Sequence, residues 1–241
     1  MAASHHEYLK AIRAQGETLL AHVGAAPDAA VPSCPGWDNL TLVRHIGRIW
    51  HYASRQARTT EPLDASGAPE DGEDSLVWAA DGLTALLLTL TETGPEAPAW
   101  NWARSEPDTA AFWYRRMAQE TAVHCWDADS ATGDPAPVTA WLAADGIDEV
   151  MTMWLPRRRG QAKEDITGTV HLHAADPSEG HPSEWFVELG PRGKVTCRYA
   201  HEKGDAVLRG ASSDILLRLW KRPSGVEEFG DETVRGALHA E

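Results

Sequence analysis

The spacing of apolar residues changes once along this chain, and that change limits the folds open to it. Up to about residue 154 apolar side chains recur at helical intervals, whereas from Ile166 they alternate as strand side chains do. Helices first and strands afterwards predict an α+β chain of two units.

The helical half divides at its turn residues. A first helix is expected from Ser4 to Val23, with Leu9, Ile12, Leu19, Leu20 and Val23 facing inward. A second starts at Asp38 or Thr41, after the Pro35-Gly36 turn. The third starts at Asp74 or Ser75, its core face Leu76, Val77, Leu83, Leu86, Leu87 and Leu90. The fourth runs from Thr109 without Gly or Pro, capped by Asp108 after Pro107 and stopped by Gly133 and Pro135. Four helices joined this way predict an antiparallel bundle. A fifth segment, 138–154, closes that unit. The charged stretch 155–165, with Arg157, Arg158 and Arg159, reads as a solvated linker, which sets the domains at 1–157 and 158–241. Beyond it, strands are expected at 166–173, at 184–189 and 194–199 as a hairpin, and at 206–209. A helix capped by Ser212 or Ser213 covers 214–221, and a short helix or coil ends the chain. His171 and His173 share one strand face. Without a third ligand nearby they read as surface residues.

The chemistry concentrates in the fourth helix. Its periodicity places Glu120 and His124 one turn apart on one face, so that a carboxylate and an imidazole can grip one metal ion. His45 lies among Leu42, Val43, Ile46, Ile49 and Trp50, and an imidazole inside such a stripe needs a partner in the core. If the two helices pack face to face, the metal is that partner. Two imidazoles and one carboxylate suit zinc, or nickel, cobalt or iron, and three protein ligands leave the open position that a catalytic metal needs. Each motif taken alone also has a plainer account: a Glu-x-x-x-His pair on a solvated face, and a core histidine bonded within the protein. Asp127 is spaced to orient a ligand imidazole, to pair with an arginine, or to stand in solvent.

Bulk properties exclude several classes. With a net charge of −14 over 241 residues the chain lacks the basic surface that nucleic acid requires. Residues 1–155 hold 9 Lys and Arg against 22 Asp and Glu, while 156–241 hold 13 against 14, an asymmetry that also favours two units. No apolar run approaches a membrane span, and no signal-peptide core opens the chain. Cys34, Cys125 and Cys197, an odd number without a Cys-x-x-Cys pair, fit a reducing compartment, so a cytoplasmic protein is expected. Cys125 points away from the ligand face and reads as a small buried hydrophobe.

Val31-Pro-Ser-Cys-Pro-Gly-Trp37, then Leu42-Val-Arg-His-Ile-Gly47, and Arg116-Met-Ala-Gln-Glu-Thr-Ala-Val-His124 with Trp126-Asp127, resemble the mycothiol-dependent maleylpyruvate isomerase family of the DinB-like metalloprotein group. Gly210 to Arg222 is similar to the helix of that family's C-terminal domain. The resemblance implies a DinB-like four-helix bundle followed by a small sterol-carrier-like α+β domain. It implies a metal, Zn2+ or another divalent ion such as Ni2+, on His45, Glu120 and His124. Gln119 departs from the family, many members of which carry histidine there. It implies mycothiol as the thiol cosubstrate, activated as thiolate for addition to a small-molecule electrophile in isomerisation or S-transfer. In the family's isomerase the thiolate adds to a cis double bond conjugated to a carbonyl, rotation follows, and elimination releases the trans isomer. An arginine of the second domain binds the anionic substrate, a role that falls on Arg222, with Arg218 as second choice. A zinc-dependent hydrolase using bound water, or a non-catalytic protein that keeps its metal, are the alternatives. A monomer or homodimer is expected.

Overall fold

The computed structural model describes residues 3–70, 73–103, 108–161 and 165–240. Two compact units divide between Ala136 and Pro137.

The first unit contains four long helices among the described residues: α1 (His5–Ala25), α2 (Asn39–Gln56), α3 (Ser75–Thr93) and α4 (Ala111–Ser130). Local chemistry starts three of them. Ser4 and Glu7 form a reciprocal capping box on α1, Asp38 accepts the Thr41 N–H, and Asp74 accepts those of Leu76 and Val77. α4 differs from expectation. Asp108 instead accepts from Asn101 Nδ2, α4 begins from Ala110 with no side-chain cap, and Pro107 lies outside the described residues. α2 packs along α3 and α1 along α4. Gly47 lets α2 approach closely, since a Cβ there would stand 2.9 Å from Ala79 Cβ and 3.0 Å from its Cα. Trp50 crosses from α2 to α4 and donates its indole N–H to Thr121 Oγ1 at 3.0 Å. Val77, expected in the core, is 57% exposed.

The second unit opens with α5 (Ala140–Glu149), a π-helical turn (Val150–Trp154) and α6 (Leu155–Arg159). The slip from α to π register precedes Pro156, which has no N–H to give; Leu155 N–H reaches back to Val150 O, five residues away. α5 packs on a later helix, α7 (Ser212–Leu219), within this unit. The compact units divide at 136, whereas the sequence suggests 157, because helical spacing fixes an apolar face but not the neighbour it buries against.

The stretch expected as a linker is also ordered where described. Arg158 Nε donates to His239 O at 2.9 Å, and Arg159, 3% exposed, donates to the carbonyls of Ile166 and Gly190. Residues 162–164 of that stretch lie outside the described residues.

Strands β1 (Gly168–Ala174), β2 (Glu184–Leu189), β3 (Val195–Arg198), β4 (Ala206–Gly210) and β5 (Glu227–Gly230) form one sheet in the order β3-β2-β1-β4-β5. The β1–β4 pair is parallel and the others are antiparallel. Val170, Leu172, Trp185, Val187 and Leu208 are fully buried, and α7 packs against β1 and β4. Ser212 and Ser213 do not cap α7. Asp176, from the loop after β1, accepts both the backbone N–H and the hydroxyl of Ser212. β5 was not anticipated, and α8 (Glu232–Gly236) follows it.

Candidate metal centre in the helical bundle

The three ligand candidates of the bundle converge. His45 Nε2 and His124 Nε2 stand 3.8 and 3.4 Å from the same atom, Glu120 Oε1. Their two rings meet edge to face with centroids 5.0 Å apart, and one donor atom from each of the three residues lies within 4.8 Å of the other two. α4 supplies two of the candidate donors through its i, i+4 spacing, and the α2–α4 contact supplies the third.

The residues behind the donors orient them. Arg116, one turn before Glu120 and 3% exposed, donates Nη2 to Glu120 Oε2 at 2.5 Å, leaving Oε1 turned to the imidazoles. Burial raises the Glu120 carboxyl, but the Arg116 charge and hydrogen bonds from His124 and His45 outweigh it and hold the group well below the usual carboxylate range. Asp127, fully buried, lies 2.9 Å through Oδ2 from His124 Nδ1 and accepts at Oδ1 from Ser33 Oγ at 2.5 Å. Cys34 Sγ approaches Asp127 Oδ2 at 3.8 Å. Burial pushes His124 down, whereas Asp127 and Glu120 outweigh it and lift the imidazole to about 9. A proton on Nδ1 facing Asp127 leaves Nε2 turned to Glu120 as the candidate donor atom, the arrangement common in histidine metal sites.

Ser33 and Cys34 reach Asp127 because the segment before α2 folds back on itself. Val31 N–H donates to Trp37 O and Trp37 N–H to Cys34 O, with Gly36 at φ 84°. Trp37 then lies beside His45 at 5.0 Å between ring centroids. Sequence reasoning placed Asp127 as one possible orienting group and missed Arg116, whose i, i+4 spacing to Glu120 was the available signal. Ser33 had no such signal, being 94 residues from its partner.

The other candidates are not members of this donor set. Arg222 belongs to the second unit, is 7% exposed, and donates Nη1 to Trp220 O at 2.7 Å. Arg218 is paired with Glu228, whose second oxygen also meets Arg235 at 2.8 Å. Burial, aided by Asp129, pushes the Cys125 thiol up to about 12; burial and Asp148 do the same for Cys197. The expectation for His171 and His173 as surface residues does not hold: His171 is 6% exposed, and both rings bond to Glu184.

A helical bundle with two imidazoles and a carboxylate turned to one point, followed by a mixed-sheet unit, defines a two-domain α+β protein with a ligand set suited to a divalent metal. Residues 9–129 match the family model of the mycothiol maleylpyruvate isomerase N-terminal domain, and residues 141–239 match that of the MDMPI C-terminal domain. The chain belongs to the mycothiol-dependent maleylpyruvate isomerase family. Two solved structures share its fold: mycothiol-dependent maleylpyruvate isomerase, at 15% identity and TM-score 0.59, and a histidine-to-alanine variant of that enzyme, at 14% and 0.62. Each comparison covers 94% of this chain and 93% of the other. No curated protein matches the sequence significantly.

Proposed function

We propose that this chain is a metal-dependent enzyme that uses mycothiol as its nucleophile toward a small electrophile carrying a double bond conjugated to a carbonyl, as an isomerase or thiol transferase. The observation that carries the reading is the convergence of His45, Glu120 and His124 on one point, with Asp127 holding the far nitrogen of His124. Two imidazoles and a carboxylate fit zinc or a similar borderline divalent ion. When bound, that ion supplies Lewis acidity that lowers the pKa of a thiol.

The protein's own groups have separate tasks. His45, Glu120 and His124 hold the ion; Asp127 and Arg116 fix the ligand orientations. Burial holds the Cys125 and Cys197 thiols up at about 12, which disfavours both as thiolate nucleophiles. Arg222 is the cation proposed to bind the substrate's anionic group and to offset charge growing on its carbonyl oxygen. Arg218, paired with Glu228, is the second candidate. Addition of sulfur to the double bond permits rotation about the resulting single bond, and elimination returns the thiol and the trans product. The free cysteines accord with a cytoplasmic, reducing setting. Among the described residues no helix is long and apolar enough to cross a membrane. A hydrolytic reading needs a general base, and Asp127 has both oxygens engaged by Ser33 and His124.

The test is the rate of maleylpyruvate isomerisation with and without mycothiol. Turnover that requires the thiol and falls about 10²-fold in Arg222→Ala, with partial recovery in Arg222→Lys, is expected. Equal turnover without thiol would overturn the proposal.

A further inference from the structure

The sheet unit holds a second constellation of metal-ligand side chains. His171 and His173 stand on one face of β1, and Glu184 opens β2 directly opposite His173. On that face His171 Nε2 bonds to Glu184 Oε2, and His173 Nδ1 lies 2.7 Å from Glu184 Oε1. His201, from the connection between β3 and β4, brings Nδ1 to 3.0 Å from the same Oε1. Donor atoms from all four residues lie within 4.8 Å of one another. The opposite face of the same strands carries the fully buried Val170, Leu172, Trp185 and Val187, so the backbone beneath the cluster is fixed by the core.

The topology explains why His201 is there. β3 and β4 are both parallel to β1 but lie on opposite sides of the β2–β1 pair, so residues 199–205 must cross two strands, about 14 Å at the usual strand spacing. Parallel strands ordinarily need a dozen or more residues for such a crossing. This one has no helix to cover the sheet. Gly204 runs close against β1, where a Cβ would stand 3.0 Å from His171 N. Glu184 thus turns both carboxyl oxygens to three rings.

We propose that His171, His173, Glu184 and His201 form a second divalent-metal site, for zinc or a similar borderline ion, that clamps the β3–β4 crossover onto the sheet. Three imidazoles and one carboxylate complete a tetrahedral shell, leaving no open position, so the site holds structure and does not activate a ligand. The cation takes the place of the N–H protons that now face Glu184. The site is independent of the bundle cluster, from which it shares no residue.

The test is zinc titration of chelator-stripped, full-length protein by calorimetry, paired with thermal melting. His124→Ala, which removes a bundle ligand, is expected to retain one high-affinity zinc and to melt higher when zinc is added. Adding His201→Ala, whose side chain is 74% exposed and therefore dispensable for folding, should weaken that zinc at least about tenfold and shrink the melting shift. Adding Glu184→Gln should remove it. Absence of zinc binding in His124→Ala, or binding unchanged by both second substitutions, would overturn the proposal. Either result can be told apart from failure of the bundle site, which is read in the Glu184→Gln single variant.

Discussion

Asp127 decides how His124 presents itself. Its carboxylate takes Nδ1 and is itself pinned by Ser33, so Asp127→Asn should leave the fold intact while lowering zinc affinity about 10–100-fold, read by competition with a chromophoric chelator. Arg116 acts on the other ligand. Arg116→Met removes the cation from the half-buried Glu120 carboxylate, which keeps only the two imidazoles as donors, and a loss of about 1–3 kcal/mol in denaturant unfolding of the metal-free protein is expected. A third residue-scale prediction concerns His239, which burial, with the Arg158, Lys221 and Arg218 charges, pushes down to about 4. Its folded value lies below the unfolded 6.5, so the stability it favours is present above 6.5 and lost as pH falls from there through 4. His239→Gln should flatten that part of the melting-temperature profile; an unchanged slope would refute the assignment. At this scale the sequence brings out the three candidate ligands and hints at Asp127; for Glu120, His124 and Asp127 the reason is that helical spacing relates residues three and four apart. It hides Ser33, His201 and Glu184, which meet their partners only through tertiary contacts.

Among the elements, α2 and α3 depend on the absence of a side chain at Gly47. Alanine in a helix interior ordinarily stabilises relative to glycine by roughly 0.5–1 kcal/mol. Here the new Cβ would meet Ala79 Cβ and Cα, part of which is backbone that cannot swing aside, so overpacking of about 1–3 kcal/mol should win. Gly47→Ala is therefore expected to lower the denaturation midpoint, and a raised midpoint would show that the helices are not so close. Helix positions are well legible in the sequence, since α1 starts after Ser4 and Asp38 and Asp74, each one of two cap candidates, cap α2 and α3. Partnership is less legible. The apolar face of α5 looks the same whether it covers the bundle or α7, and β5, Glu227-Glu-Phe-Gly230, is too short and too charged to show alternation.

Across the whole molecule, the change of apolar period and the uneven charge mark two units, and the structure keeps both while moving their boundary to 136. The bundle unit carries the His45, Glu120 and His124 cluster; the sheet unit carries Arg222 and the His3Glu cluster. A family with so little sequence identity between members keeps its helices and sheet through patterning, and its identity shows in a handful of residues. The most direct measurement is the metal content of the Glu184→Gln protein, in which the sheet site is disabled, beside the same protein carrying His45→Ala, Glu120→Ala or His124→Ala. The account predicts about one divalent ion per chain in the first and loss of it in each of the other three. Metal absent from the first, or retained in all three, would contradict it.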